Sequence, residues 1–146
     1  MKTKIYSVLL LFCSALVLYS CSSSKDNSGI TPQTGGYSFT ISNDAGSKLM
    51  DGTLTIVSAA DGKIDGSFKR TAVYDSSFSA YGLLTGGKFT GTYKPNGDVG
   101  FNMNPRLEDN NVYIGAKLSG DNMNGSWSHS TMTGSKDKGK FSATLK

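Results

Sequence analysis

Between residues 37 and 145, apolar and polar residues alternate with a period of two, and no window carries the 3.6-residue spacing of an amphipathic helix. Tyr37, Phe39 and Ile41 alternate with Ser38, Thr40 and Ser42; Phe89, Gly91 and Tyr93 alternate with Thr90 and Thr92. Val112, Ile114, Ala116 and Leu118 repeat the pattern, as do Met123, Gly125 and Trp127, and Phe141, Ala143 and Leu145. Each such segment has one apolar and one wet face, which is what an antiparallel sheet wrapped around its own core requires. The spacing predicts strands at 37–42, 51–58, 63–70, 80–94, 98–103, 112–118, 123–128 and 140–145, the fourth bent or bulged at Gly86-Gly87.

The connections between these segments fall into two kinds. Ala60-Asp61-Gly62, Pro95-Asn96-Gly97 and Gly120-Asp121-Asn122 carry tight-turn chemistry, whereas 43–50, 71–79, 104–111 and 129–139 read as long loops. Long and tight alternate strictly. In an up-and-down meander alternate connections share an end, so the long loops gather at one mouth and the tight turns at the other. An even strand count lets the sheet close antiparallel and removes its edges. The expected fold is therefore all-β: a single antiparallel up-and-down barrel of about eight strands, which resembles the architecture of streptavidin and the lipocalins.

A phrase recurs within the strands, an apolar residue, a small one and an apolar one at alternate positions, as in Lys63–Phe68 and Lys88–Tyr93. A glycine on the crowded inner face lets a neighbouring aromatic ring lie over it. The inward aromatics Phe39, Phe68, Phe89, Phe101, Trp127 and Phe141 admit two readings. They fill the interior, or they leave a cup beneath the loops walled by Phe68, Phe101 and Trp127, with Arg70, Asn43, Ser47 and His129 on its rim and Tyr74, Phe78 and Tyr81 on a lid.

Ahead of the barrel stand a basic start (Lys2, Lys4) and an apolar run from Ile5 to Leu18. That run is shorter than the roughly 20 residues a membrane helix needs, and reads as a signal h-region. Leu18-Tyr19-Ser20-Cys21 resembles the lipobox of bacterial lipoproteins, so residues 1–20 are expected to be removed and Cys21 to carry the lipid. The chain has two cysteines, Cys13 and Cys21, so the mature domain would hold neither disulfide nor Cys-based metal site. Residues 21–35 are polar, rich in Ser and Gly, and read as the lipidated cysteine and a flexible tether reaching roughly 20 Å. Residues 36–146 form the domain. Strand one begins at the tight-turn end, so the loop mouth would face away from the membrane. Ser22 is not the aspartate that retains enteric lipoproteins at the inner membrane, which favours the outer membrane of a Gram-negative cell envelope.

Removing Lys2 and Lys4 leaves 13 basic against 11 acidic residues. The charges are scattered without a basic stripe, which argues against nucleic acid as a partner. The single histidine, His129, lies near Ser126, Ser128 and Ser130, but no Gly-x-Ser-x-Gly elbow marks a nucleophile, and it reads as a solvated rim residue. Glu108-Asp109-Asn110-Asn111 offers oxygen ligands without EF-hand spacing, and the aspartates mostly sit in turns. Neither an enzyme, a metal nor a cofactor is expected.

The segments also resemble avidin and streptavidin. Ser42-Asn43-Asp44-Ala45-Gly46-Ser47 is similar to that family's first ligand loop, in which an Asn and a Ser four residues later reach the ligand. Ala60-Asp61-Gly62 with Asp65-Gly66-Ser67-Phe68 is similar to its next hairpin. Residues 71–79 stand where the family has a lid loop, and Tyr81–Gly86 follows like its fourth strand. Asn124-Gly125-Ser126-Trp127 and Phe141–Leu145 fit the last two strands. The resemblance implies ligand contacts at Asn43, Ser47 and Trp127. Phe68 replaces a family tyrosine, Arg70 a polar neighbour, and the remaining tryptophan positions fall near Pro105 and Tyr113. Each lost polar partner costs about 1–3 kcal/mol, which argues against tight biotin binding. Two functions follow as expectations. One is a lipid-anchored envelope module taking a small or partly apolar ligand at the mouth. The other is a filled barrel whose loops contact another protein or a glycan.

Overall fold

The computed structural model describes residues 29–107 and 109–146. The stretch 1–20 read as an export signal, Cys21 and Glu108 lie outside the described residues. Eight strands follow one another: β1 (Gly35–Asn43), β2 (Lys48–Ala60), β3 (Lys63–Val73), β4 (Gly86–Tyr93), β5 (Asp98–Asn102), β6 (Asn110–Ser119), β7 (Asn122–Thr131) and β8 (Gly134–Leu145). They pair in sequence order, and β1 closes antiparallel on β8 from Tyr37↔Leu145 to Asn43↔Gly139, giving a closed barrel. No backbone edge of the sheet is left at that seam, which is how a barrel avoids edge-to-edge association. The alternation read from the sequence is the alternation of the wall: Tyr37, Phe39 and Ile41 are buried, and so are Met123, Trp127, Phe141 and Ala143.

Inward rings from different strands meet near the axis. Phe39 and Phe141 lie 6.1 Å apart between centroids, Phe89 and Phe101 5.2 Å apart edge to face, and Phe101 and Phe141 6.4 Å apart. Edge-to-face pairing of this kind adds about 0.5–1.5 kcal/mol to simple area burial. The small residues of the recurring phrase make this possible. A Cβ on Gly66 would run into the Thr55 carbonyl and the Phe89 ring, and one on Gly52 into the Phe39 ring. Gly66 pairs directly with Phe89, and Gly52 with Phe39, so each ring lies across a glycine of the adjacent strand.

The tight end is built as the turn signals indicate. Asp61 and Gly62 both have positive φ (52° and 74°), the geometry of a two-residue turn whose twist matches the strands it joins. The connections 61–62, 94–97 and 120–121 all lie at this end, and 44–47, 74–85, 103–109 and 132–133 at the other.

Four local expectations are corrected. The stretch 80–94 is not one strand: pairing with β3 stops at Lys69↔Gly86, and residues 74–85 cross the mouth instead. There Leu83 N–H and Leu84 N–H both donate to the Ala80 carbonyl, a turn that lets Phe78, Ala80 and Leu84 point down into the core. The stretch 129–139 is not a loop but the tip of the β7–β8 hairpin, closed by Met132-Thr133, and 43–50 shrinks to a four-residue turn at 44–47. Finally, the end of the stretch read as tether is seated on the barrel. Ile30 N–H donates to the Pro95 carbonyl (3.0 Å), Gln33 Nε2 to Asp121 Oδ1 (3.2 Å), and Tyr37 Oη–H to the Gln33 carbonyl (3.0 Å).

Candidate functional site

The mouth is where the sequence places the chemistry, and β7 supplies its floor. Trp127 is 1 % exposed and its Nε1–H donates to the Ser42 carbonyl on β1 at 2.9 Å. Gly139, its partner on β8, leaves room for the indole: a Cβ there would stand 2.8 Å from Nε1. Phe78, from the crossing segment, packs edge-on against Trp127 (5.9 Å, 71°) and against Tyr81 (6.0 Å, 85°). Arg70, at the mouth end of β3, holds that segment from below. Its guanidinium lies 4.3 Å from the Tyr81 ring centroid and donates to the Tyr81 carbonyl at 3.0 Å. A cation over an aromatic face contributes about 0.5–2 kcal/mol, more where water is excluded.

Tyr74 is exposed but engaged. Its hydroxyl donates to Asp51 Oδ2 (2.7 Å), and Lys48 Nζ lies 5.0 Å from its ring centroid and 2.9 Å from the same carboxylate. Burial works to raise the Asp51 pKa, but hydrogen bonds from Thr40, Tyr74 and Lys48 outweigh it and hold the carboxyl below its ordinary value.

The sequence candidates therefore separate. Phe68, Phe101 and Trp127 are all buried, but Phe101 sits deep in the ring cluster with Phe89 and Phe141 rather than on a cup wall. Tyr81 and Arg70 belong to the crossing segment's fastening. Asn43 Oδ1 accepts from the Ser47 amide at 2.9 Å, so both residues serve the β1–β2 turn. Asn43 also lines an open groove of about 650 Å³ with Asp44, Ala45, Ser135, Lys136, Asp137 and Lys138. A smaller cleft of about 280 Å³ opens between β4 and the 103–109 connection, lined by Gly87, Lys88, Asn104, Pro105, Arg106 and Leu107.

His129 is not a solvated rim residue. It is 6 % exposed and fully bonded, Nδ1 to Ser79 Oγ at 2.7 Å and Nε2 to Asn110 Oδ1 at 2.6 Å. It becomes buried because β7 runs on to Thr131 and residues 74–85 fold over it. Burial pushes its pKa below the ordinary 6.5; Asp137 opposes that shift and Lys136 adds to it. Ser79 N–H donates to Asp137 Oδ2 at 3.1 Å. A second polar cluster surrounds Asn111, which the sequence offered only as part of the 108–111 oxygen-ligand stretch. Asn111 is 1 % exposed, and its Nδ2 donates to Asn102 Oδ1 (2.6 Å) and to the carbonyls of Asn104 (2.9 Å) and Leu107 (3.1 Å). Asn104 Nδ2 in turn donates to the Leu83 carbonyl. The one signal for it is the density of asparagines at 102, 104, 110 and 111. Among the described residues no three His, Cys, Asp or Glu side chains converge as metal ligands.

The closed eight-stranded antiparallel barrel is consistent with an avidin-like fold. No protein-family model, curated protein or solved structure matches this chain, so the likeness rests on the architecture and on the strand phrases themselves.

Proposed function

We propose that the protein is a lipid-anchored module of the bacterial cell envelope that meets another protein through the loop end of a side-chain-filled barrel. The observation that carries this reading is the closure of the mouth: Phe78 is seated on Trp127 and both are buried, so the space a small ligand would use is occupied by the protein's own rings. An eight-stranded barrel is just wide enough for side chains to fill. Among the polar residues of the loop end stand two exposed apolar side chains. Met132 is 81 % and Leu107 44 % exposed, and the two connections that carry them are joined by a bond from Met132 N–H to the Asp109 carbonyl (3.1 Å). Apolar side chains exposed on two joined connections of a polar rim are what a protein contact uses. Anchoring through Cys21 would hold the opposite end toward the bilayer.

A photo-crosslinking residue at Met132 in cells producing the whole chain is expected to give one discrete adduct. Leu107→Asp is expected to abolish it while the barrel melts at an unchanged temperature. Saturable uptake of Nile red by the native protein, lost in Trp127→Phe, would instead favour a small apolar ligand in the mouth. Cys21→Ser is expected to move the protein out of the membrane fraction.

A further inference from the structure

Ser79, His129 and Asn110 come from three separate parts of the chain and form a line. Asn110 Oδ1 can only accept, so the hydrogen it shares with His129 belongs to Nε2. A neutral imidazole then presents a bare lone pair at Nδ1, and Ser79 Oγ–H is its donor, 2.7 Å away. A hydroxyl within reach of a base, with that base held by a third group, is the arrangement that activates a serine. An amide in the third place is found also in Cys-His-Asn hydrolases. The surroundings suit the task. His129 is sheltered from water, whereas Ser79 is exposed. Burial favours the neutral, proton-accepting imidazole. The Asp137 carboxylate, bonded to Ser79 N–H and 3.5 Å from Ser79 Oγ, would balance an imidazolium once formed. Asp137 also lines the open groove beside Lys136 and Lys138, and its contact with Ser79 sets the hydroxyl next to a residue of that groove's wall.

We propose that Ser79 is a nucleophile toward carboxylic esters, with His129 as its general base and Asn110 as the residue that positions that base. Ser79 Oγ attacks the carbonyl carbon as its proton passes to His129 Nδ1. The carbon–oxygen bond to the alcohol breaks, the departing oxygen takes the proton from Nδ1, and the acyl group remains on Oγ. Water, giving a proton to the same nitrogen, then attacks the acyl-serine and releases the carboxylic acid, and the proton returns to Ser79. This activity goes beyond the proposed contact function and does not depend on it.

The test uses the full chain and a fluorophosphonate, which forms a phosphorus–oxygen bond to an activated serine and expels fluoride. Peptide mass mapping is expected to place one adduct on Ser79, formed at least about 100-fold faster than on exposed Ser135, the lower end of what a general base contributes. His129→Gln is expected to remove that advantage. In the native protein the labelling rate should fall on the acid side with a midpoint below 6.5, since burial depresses the pKa of the base. Asn110→Asp puts a carboxylate on Nε2 and is expected to move that midpoint upward with Ser79 still labelled, a shift that Ser79 labelling shows only if His129 is its base. An adduct absent from Ser79 in the native protein, or formed no faster there than at Ser135, would overturn the proposal. So would equal labelling of the native protein and folded His129→Gln.

Discussion

Trp127 joins three parts of the mouth at once: its ring supports Phe78, its Nε1–H caps the Ser42 carbonyl, and its bulk occupies the space vacated at Gly139. Trp127→Ala is expected to cost about 3–5 kcal/mol in urea unfolding, the usual range for emptying a buried aromatic site. Trp127→Phe should cost less, because it keeps a ring beneath Phe78, but it leaves the Ser42 carbonyl without its donor at about 1–3 kcal/mol. His129 makes a second prediction at this scale. Its folded pKa lies below the ordinary 6.5, so the folded state binds a proton less readily than the unfolded chain. Its contribution is therefore complete above about pH 6.5 and is lost as pH falls through the folded value. The Asp51 carboxyl, also depressed, acts lower, from its ordinary 3.8 downward, so the two windows are distinct. Melting temperature followed from pH 8 to pH 4.5 should decline on the acid side, and His129→Gln should flatten that decline. Residue identity shows that Trp127 and Phe101 are inward, because alternation fixes the face. It does not show that His129 is buried, because a polar residue among serines looks the same whether its neighbour is water or Ser79.

At the scale of elements, the strands with one apolar and one polar face were legible, and two of the misread regions fail for opposite reasons. Residues 129–139 carry polar side chains on both faces, so a hairpin tip bound by backbone pairing gives no alternation to detect. Residues 78–84 carry several apolar groups that mimic a strand, yet they have no partner strand and bury Phe78, Ala80 and Leu84 through a turn. The segment 74–85 has no strand partner and is held by separate contacts: Tyr74 and Asp75 N–H on the Leu49 carbonyl, Tyr74 on Asp51, Arg70 on Tyr81 and Thr85, Ser79 on His129 and Asp137, Asn104 on Leu83, and the buried Phe78, Ala80 and Leu84. Segments held outside the sheet ladder open at lower free energy than the barrel they cover. Phe78→Ala removes the buried anchor, and chymotrypsin is then expected to cut after Tyr74 or Tyr81 at least about tenfold faster. Amides of β1, β7 and β8 should keep their exchange protection. Global loss of protection would show instead that the segment is part of the barrel's cooperative unit.

Closure was legible because it is a matter of counting: an even meander with alternating connection lengths leaves its first and last strands able to pair, and Tyr37↔Leu145 is that pair. The geometry of closure also bears on how the whole molecule would stand at a membrane. The described chain begins against Pro95, under the tight-turn end, with Ile30 and Gln33 bonded there. Between Cys21 and Gly29 a chain spans at most roughly 28 Å even when fully extended, so a lipid on Cys21 would keep the tight end close to the bilayer. The loop end lies one strand length further out, and β2 alone runs for 13 residues. Single cysteines at Lys94, near the root, and at Ser135, on the far rim, turn this into a measurement. With the protein on intact membranes, a bulky membrane-impermeant maleimide should react faster at Ser135→Cys than at Lys94→Cys. In detergent, where no bilayer shields the root, the two rates should converge. Faster reaction at Lys94→Cys on membranes would place the loop end against the bilayer, and the proposed contact surface at Leu107 and Met132 would then face lipid rather than a protein partner.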